Sequence, residues 1–242
     1  MAFEPETLKA EFLADKTAVA IDVLRATSSL LAALANGATR VVPTLEVAEA
    51  RALKARSTAG TVVLGGERGG LLIEGFDVAN TPQEFSAEVV TGKTVVMTTT
   101  NGTRAILTAL PAARLYVAAL NNVTATARAL AERCLGDVVL VASGTERFVS
   151  WEDTFCAGAI AERLTGARDG RGWRLTDSAI IALEAWRAAR DDVQAALRRG
   201  RGGRNVMKHH LDEAFTACGA VDCYDFAARV HRDPLEIVRE AD

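Results

Sequence analysis

The chain contains an internal repeat, and this feature limits its possible folds more than any other. Each copy places a short apolar run before a polar turn and continues with two alanine-rich stretches that alternate with two further apolar runs. Matching positions are 74 residues apart at Arg40 and Arg114, and 79 residues apart at Glu67 and Glu146. Because chance rarely reproduces the order of so many elements, the sequence predicts a duplicated structural unit.

The apolar runs have the character of buried strands in a parallel sheet, because they are continuous and do not alternate with polar residues. They are residues 17–23, 40–43, 61–64, 94–98, 115–119 and 138–142. Stretches of helical period lie between them, at residues 28–36, 47–55, 103–110 and 124–134. This alternation predicts an α/β protein with three α/β/α layers and two similar domains, each with a parallel or mixed sheet, related by internal duplication.

The pattern changes near Trp151, after which helical periodicity dominates. Helices are predicted at residues 153–164, 177–198, 206–218 and 224–230. We therefore predict a first α/β repeat at residues 1–90, a second at residues 91–165, and a mainly helical C-terminal segment at residues 166–242 that packs on the α/β core. The two halves should meet about a pseudo-dyad, with the carboxyl ends of strands facing a shared cleft, where open α/β sheets bind ligands.

Composition and charge argue against several classes of protein. The chain has 242 residues and a formal net charge of −3, whereas nucleic-acid-binding proteins carry an excess of Lys and Arg. Its one basic run, at residues 198–204, is interrupted by glycines and predicts a solvated loop. Four cysteines without a CxxC pair, no visible secretory leader and no apolar stretch of about 18 residues predict a reduced, soluble, cytoplasmic protein without a membrane partner. A homodimer is compatible with the sequence.

The first polar turn follows the first predicted strand and carries Asp22, Arg25, Thr27 and Ser28. An aspartate at the carboxyl edge of a sheet is a suitable ligand for Mg²⁺. The guanidinium of Arg25 can bind phosphate through two nitrogen atoms, and the two hydroxyls lie near the positive end of the next helix. The alternative is a structural helix start in which Asp22 or Thr27 caps free amides, and the turn alone does not separate the two.

The second polar turn occupies the matching position of the second copy. It reads Thr98-Thr99-Thr100-Asn101-Gly102-Thr103-Arg104. Hydroxyls, an arginine, and a glycine that lets the backbone approach an anion favour an oxyanion-binding cradle. The alternative is a tight turn followed by a capped helix. We favour the cradle, whose phosphate-binding residues would be Thr99, Thr100, Asn101, Gly102, Thr103 and Arg104.

Two further stretches carry carboxylates at the ends of predicted elements. Glu67 and Arg68 lie between glycine pairs after a strand, where the glutamate could bind metal and the arginine an acidic substrate. A flexible hairpin with an exposed ion pair is the alternative there. Glu152 and Asp153 follow Ser150, a pattern that an ordinary helix start with dipole-complementing acids also explains.

Several hydrolase mechanisms lack their residues in this chain. A cysteine phosphatase needs five residues between its cysteine and arginine, whereas six separate Cys156 from Arg163. The turn Asp22-Val23-Leu24 lacks the second aspartate of the haloacid-dehalogenase motif, and the sequence has no Walker loop. Three histidines, at positions 209, 210 and 231, leave little for a zinc site or a Ser-His-Asp triad. We interpret His209 and His210 as surface or interdomain residues. Oxyanion chemistry with a hard metal ion, arginines and helix ends remains.

Taken in order, these stretches resemble the 2-phosphosulfolactate phosphatase family of the coenzyme M pathway. The resemblance covers roughly residues 15–165 and rests on motifs in sequence order. They are Asp22-Val23-Leu24-Arg25-Ala26-Thr27-Ser28, Ala35-Asn36-Gly37-Ala38, Gly66-Glu67-Arg68, Glu74-Gly75-Phe76-Asp77 with Asn80-Thr81-Pro82, Thr99-Thr100-Asn101-Gly102-Thr103-Arg104, and Glu152-Asp153 with Cys156-Ala157-Gly158. The resemblance implies an Mg²⁺-dependent hydrolase that removes phosphate from (2R)-O-phospho-3-sulfolactate, with a three-layer α/β fold of two similar domains.

The turns and the resemblance together lead to one assignment of roles. We expect Asp22, Glu67 and Asp153 to bind the metal, and Asp22, Arg25 and Glu67 to act in catalysis. The phosphate and the other acidic groups would be bound by Arg25, Thr27, Ser28, Arg68 and the six residues of the second turn. Two alternatives stay open: a magnesium phosphatase of another small acidic organophosphate, such as phosphoglycolate or phospholactate, and a protein that binds an acidic metabolite without hydrolysing it.

Overall fold

The chain folds around one large mixed β-sheet. The structure is a computed structural model that describes residues 1–3, 5–146, 148–166 and 172–240. Arg147, which ends the second repeat in the sequence, lies outside the described residues. Every predicted strand and helix of the two repeats is present, with ends shifted by a few residues at most. The α/β class predicted from the alternation of elements is therefore confirmed.

The strands are β1 Thr17–Ile21, β2 Arg40–Pro43, β3 Val62–Arg68, β4 Leu71–Leu72, β5 Thr94–Thr98, β6 Arg114–Ala118, β7 Val138–Ala142, β8 Ala228–Arg232 and β9 Leu235–Arg239. The α-helices are α1 Ala10–Leu13, α2 Ala26–Ala35, α3 Val47–Arg56, α4 Ala87–Val90, α5 Gly102–Thr108, α6 Val123–Arg133, α7 Trp151–Gly166, α8 Asp177–Ala189, α9 Val193–Arg199, α10 Arg201–Lys208 and α11 Glu213–Cys218. Short 3₁₀-helices lie at Pro5–Thr7, Pro82–Glu84, Leu120–Asn122 and Arg190–Asp192.

Within the described residues, nine strands form the sheet in the order β4-β3-β5-β2-β9-β8-β6-β1-β7. Strands β6, β1 and β7 pair in parallel, and so do β2, β5 and β3. The hairpin β8–β9 joins the two groups through antiparallel pairs with β6 and β2. Because three successive pairings are antiparallel, the two parallel groups run in opposite directions along the sheet.

The strand order follows the internal repeat, and it shows that the two copies exchange their first strands. Strand β1 belongs to the first copy in the sequence, yet it lies between β6 and β7 of the second copy. Strand β5 of the second copy lies in turn between β2 and β3 of the first. Matching strands therefore occupy matching places on either side of the β8–β9 hairpin. The predicted limits of the two α/β repeats and the C-terminal segment stay a prediction.

Both faces of the sheet are covered, as a three-layer fold requires. Along β1, Ala18 and Ala20 pack into one hydrophobic cluster, which contains buried residues of α2 and α5. Val19 and Ile21 point to the opposite face and pack into a second cluster, with buried residues of α6, α7 and α8. A parallel strand buried on both faces is expected to be apolar throughout, which explains the continuous run in the sequence.

Two expectations for the C-terminal segment are wrong. The helix predicted at residues 224–230 is absent, and β8 begins at Ala228 instead, because Ala228 and Val230 alternate with more exposed neighbours and bury one face of a hairpin. The basic run at residues 198–204 is not a loop but the end of α9 and the start of α10. Its arginines lie over aromatic rings, Arg199 over Trp151 and Arg201 over Phe148.

The α-helices of the described residues are 4 to 16 residues long. None of them combines the length and the apolar character that crossing a bilayer requires.

Candidate active site

The two polar turns predicted from the sequence meet in the folded chain. Asp22 follows β1 directly and is almost completely buried. Gly102, at the start of α5, lies so close that a Cβ atom there would be 2.8 Å from Oδ2 of Asp22 and 2.4 Å from Cβ of Ala26. Ala26 and Gly102 occupy equivalent positions of the two repeats, 76 residues apart. The contact therefore lies on the pseudo-dyad, where the sequence predicted a shared site.

The first turn is held together by its own hydroxyls. The backbone N–H of Asp22 donates to Oγ1 of Thr27 over 2.9 Å, and this hydroxyl donates back to the carbonyl of Asp22 over 2.8 Å. The hydroxyl of Ser28 donates to the Val23 carbonyl over 2.8 Å. Oδ1 of Asp22 accepts the N–H of Ala26 over 3.2 Å, while the peptide bond from Leu24 to the next residue is cis. The phosphate-binding roles of Thr27 and Ser28 stay a prediction.

The second turn is also held together by hydrogen bonds between its own residues. Oγ1 of Thr99 accepts the N–H of Thr103 over 3.0 Å, and Oγ1 of Thr103 accepts the N–H of Thr99 over 3.2 Å. Both residues are buried, whereas Thr100 is exposed, and Asn101 and Arg104 are half-buried. Thr99 and Thr103 therefore form the buried base of the turn, and Thr100, Asn101 and Arg104 form its accessible rim.

Glu67 and Arg25 are joined through Gly70. One carboxylate oxygen of Glu67 accepts the N–H of Gly70 over 2.8 Å, and the other accepts the N–H of Thr100 over 2.7 Å. Arg25 donates from Nη2 to the carbonyl of Gly70 over 3.1 Å and from Nη1 to Oγ1 of Thr81 over 2.7 Å. Glu67 thus links the β3–β4 hairpin to the second turn, and the hairpin in turn fixes the guanidinium of Arg25.

Asp153 lies beside the first turn although it comes from α7. Its Oδ1 accepts the N–H of Val23 over 2.9 Å, and its Oδ2 accepts the hydroxyl of Ser143 over 2.9 Å. Oγ of Ser150 accepts the N–H of Asp153 over 3.2 Å, so the helix-start reading of this stretch is also present. Asp153 therefore belongs both to the start of α7 and to the surroundings of the first turn.

The site brings several carboxyl groups into a buried space, those of Asp22, Glu67, Glu152 and Asp153. Burial, with the nearby Asp153 and Glu67 carboxylates, raises the pKa of Asp22 to about 8. Burial and Glu152 raise the pKa of Asp153 to about 7, and burial and Asp22 raise the pKa of Glu152 to about 7. Burial lowers the pKa of Arg25, while nearby acids including Glu67 and Asp22 oppose this effect. A cation among these carboxylates would relieve both the burial and the repulsion.

The donor set suits a metal ion that keeps part of its water shell. Across the part of the chain that the structure describes, no group of three or more His, Cys, Asp or Glu side chains is arranged to hold a metal by itself. Mg²⁺ commonly binds through one or two carboxylates, several waters and substrate phosphate. Asp22 and Asp153 could supply these carboxylates, although both oxygens of Asp153, like both oxygens of Glu67, already accept hydrogen bonds from the protein.

Arg68 lies apart from this arrangement. Its guanidinium is exposed, and it donates to the carbonyls of Glu67 and Leu45. Three residues of the site were not predicted from the sequence. Thr81 accepts a hydrogen bond from Arg25, Ser143 donates one to Asp153, and Glu152 raises the pKa of Asp153. The sequence carried a signal for two of them: Thr81 lies in the Asn80-Thr81-Pro82 motif, and Glu152 precedes Asp153. Ser143 follows the end of β7, at the carboxyl edge of the sheet.

Comparison with known proteins shows the family of the chain. The family model described as 2-phosphosulpholactate phosphatase matches residues 2–233. The chain belongs to this family. A probable 2-phosphosulfolactate phosphatase of Symbiobacterium thermophilum is 40% identical over 209 residues, which are 86% of this chain and 88% of that protein. Proteins with the same name from Clostridium acetobutylicum and Clostridium novyi are 38% and 36% identical, over 88% and 93% of both chains. The resemblance seen in the sequence is thus confirmed over almost the whole chain.

Proposed function

We propose that the protein is an Mg²⁺-dependent phosphoric monoester hydrolase that converts (2R)-O-phospho-3-sulfolactate to 3-sulfolactate and phosphate. The observation that carries this proposal is the meeting of the Asp22 and Gly102 turns, beside Asp153 and the linked pair of Arg25 and Glu67. A member of the 2-phosphosulfolactate phosphatase family with this set of groups has the charges that phosphoryl transfer needs.

Asp22 and Asp153 are the proposed ligands of Mg²⁺, with Glu67 as a third candidate. Buried carboxylates that raise one another's pKa favour a divalent cation over an anion at this position. When bound, Mg²⁺ supplies positive charge for the phosphoryl oxygens and a place for a water molecule. An acidic metabolite alone would be repelled here, which argues against the non-catalytic alternative.

Arg25 is the proposed phosphate clamp. Its described hydrogen bonds to Thr81 and Gly70 use two of the five N–H groups of a guanidinium, and the buried side chain cannot swing away. The remaining donors are available for phosphate oxygens, as in other arginine sites for oxyanions. The accessible rim of the second turn, at Thr100, Asn101 and Arg104, would bind further oxygens.

The cysteines support the proposal that the protein works in the cytoplasm. Cys134, Cys156, Cys218 and Cys223 are all free thiols. Reduced cysteines are the rule in the cytosol, whereas secreted proteins tend to pair them.

Phosphate release from synthetic phosphosulfolactate tests the proposal. We expect turnover with Mg²⁺, loss of turnover with EDTA, and recovery when Mg²⁺ is restored. Asp22→Asn should lower kcat/KM by about 100-fold or more, as expected when a group that stabilises the transition state is lost. The exposed Asp15, whose variant Asp15→Asn should keep full activity, is the matched control.

Two results would overturn the proposal. Turnover of phosphoglycolate or phospholactate in preference to phosphosulfolactate would mean that phosphosulfolactate is not the preferred substrate. Thermal stabilisation by phosphosulfolactate without phosphate release, unaffected by EDTA, would instead favour a binding protein.

A further inference from the structure

Helix α10 spans the candidate active site from the Asp153 side to the Arg25 side. At its start, Gly200 and Gly202 pack on the carboxylate of Glu152, the neighbour of Asp153. A Cβ atom at Gly202 would lie 1.8 Å from Oε1 of Glu152, so a side chain there would collide with the carboxylate. The first turn of α10 is thereby fixed against α7.

The other end of α10 reaches the β3–β4 hairpin. His209 follows the helix directly, and its backbone N–H donates to the carbonyls of Asn205 and Val206. A Cβ atom at Gly70 would lie 3.1 Å from Cδ2 and 3.2 Å from Nε2 of His209, so this edge of the imidazole rests on Gly70. Gly70 is the residue whose carbonyl holds Arg25 and whose N–H binds Glu67.

The imidazole ring of His209 can donate a hydrogen bond to a ligand. It is half-buried, and within the described part of the chain neither ring nitrogen has a hydrogen-bond partner. The next residue, His210, has a φ of 57° and an exposed side chain. His209 is thus the imidazole of the pair that faces the Arg25 hairpin.

The proposed substrate needs such a donor. Phosphosulfolactate carries a carboxylate and a sulfonate besides its phosphate, and the buried Arg25 and the carboxylates of the metal site are assigned to the phosphate. Among described cationic side chains near Gly70, Arg68 is directed to the carbonyls of Glu67 and Leu45. The imidazole of His209 lies against Gly70, whose carbonyl accepts a hydrogen bond from Arg25, and an imidazole N–H can donate to an oxygen of a second anionic group.

We propose that His209 is a specificity-determining residue that donates a hydrogen bond to the sulfonate of the substrate. This proposal rests on the proposed function. His209 plays no part in breaking the phosphate ester, and its contribution is to distinguish the sulfonate-bearing substrate from analogues that lack the group.

The test compares two substrates that differ in this group alone. 2-Phospholactate has the same phosphate and carboxylate as phosphosulfolactate and lacks the sulfonate. The ratio of the two kcat/KM values is measured for the wild type, His209→Ala and His209→Gln, with Mg²⁺ present. His210→Asn is the matched control, because Asn tolerates the left-handed backbone at that exposed position.

We expect the wild type to prefer phosphosulfolactate and His209→Ala to lose about 10-fold or more of that preference, as for a lost hydrogen bond to a charged group. The loss should come from kcat/KM for phosphosulfolactate, with phospholactate turnover nearly unchanged. His209→Gln keeps an N–H donor and should recover part of the preference, and His210→Asn should keep all of it.

The outcomes separate this inference from the proposed function. A wild type that hydrolyses neither compound contradicts the proposed function. A wild type that hydrolyses both equally, or a His209→Ala variant that keeps the wild-type preference, contradicts the role of His209 alone. An equal loss on both substrates would mean that the ring only supports Gly70 by packing, which also overturns the proposal.

Discussion

At the scale of single residues, the site depends on one atom that Gly102 does not have. The φ of Gly102 is not in the left-handed region, so backbone conformation does not require glycine there. The requirement comes from Asp22 and Ala26, which occupy the space that a Cβ atom would fill. The sequence predicted that this glycine lets the backbone come close to another group, and that the group is an anion. The structure shows Asp22 and Ala26 of the first turn next to Gly102, and anion binding by Gly102 stays a prediction.

Gly102→Ala should therefore damage the site by steric conflict. We expect a loss of about 1–3 kcal/mol in the free energy of unfolding, typical of overpacking, and a fall in kcat/KM because Asp22 is displaced. Gly166→Ala is the control, since a Cβ atom there meets nothing within 4 Å. Calorimetry and phosphate release on both variants make the comparison. Equal behaviour of the two variants would contradict the close contact between the turns.

The raised pKa of Asp22 predicts how stability depends on pH. The folded protein binds a proton up to about pH 8, whereas the unfolded chain releases it near the ordinary value of 3.8. The stability that comes from the protonated carboxyl is therefore complete below about pH 4 and is lost as the pH rises towards 8.

Asp22→Asn removes this titration while keeping a side chain of the same shape. In EDTA, the Tm of this variant relative to the wild type should rise between pH 5 and pH 8, by at least about 2 °C. Asp15→Asn should show no such rise, because Lys16 holds the pKa of the exposed Asp15 below its usual value. A difference in Tm that stays flat with pH would show that Asp22 titrates normally.

At the scale of elements, the sequence predicted the strand-end turns better than the contacts between them. Continuous apolar runs are sufficient to locate buried strands, and the polar residues after β1 and β5 mark their carboxyl ends. Periodicity cannot reveal that Thr27, Thr99 and Thr103 hold their own turns, since a capping hydroxyl and an anion-binding hydroxyl have the same residue type. The β8–β9 hairpin was missed because the alternation of Ala228 and Val230 is short.

Glu67 connects two elements, and this predicts the effect of Glu67→Gln. An amide offers one acceptor oxygen, so the N–H of either Gly70 or Thr100 loses its partner. We expect a loss of about 1–3 kcal/mol in stability and a fall in kcat/KM as Arg25 loses its fixed hairpin. Glu74→Gln, at an exposed position of the same region, is the control.

The Mg²⁺ concentration needed for half-maximal activity separates the two roles of Glu67. It should change little in Glu67→Gln if the residue mainly positions the hairpin, and it should rise clearly if Glu67 is a metal ligand. Unchanged stability and activity would contradict both roles.

At the scale of the whole molecule, the exchange of β1 and β5 makes each half depend on the other. The repeat in the sequence predicted two similar units, and nothing in an apolar run specifies which neighbours it will pair with. Both β1 and β5 are apolar, central and buried on both faces, so either pairing would satisfy the pattern. The exchange brings the turn after each strand to the pseudo-dyad, which explains how Asp22 and Gly102 come into contact.

This exchange predicts that residues 91–242 do not fold alone. Without β1, a gap opens between β6 and β7 and exposes the backbone and apolar side chains that β1 covers from Thr17 to Ile21. Unpaired, buried backbone groups are costly, so the fragment should lack a cooperative thermal transition and should aggregate. Adding residues 1–90 as a separate chain should restore a soluble complex with a cooperative transition, measured by circular dichroism against the intact protein. A fragment 91–242 that unfolds cooperatively by itself would instead mean that the second repeat is an independent domain, in which β1 contributes no essential strand.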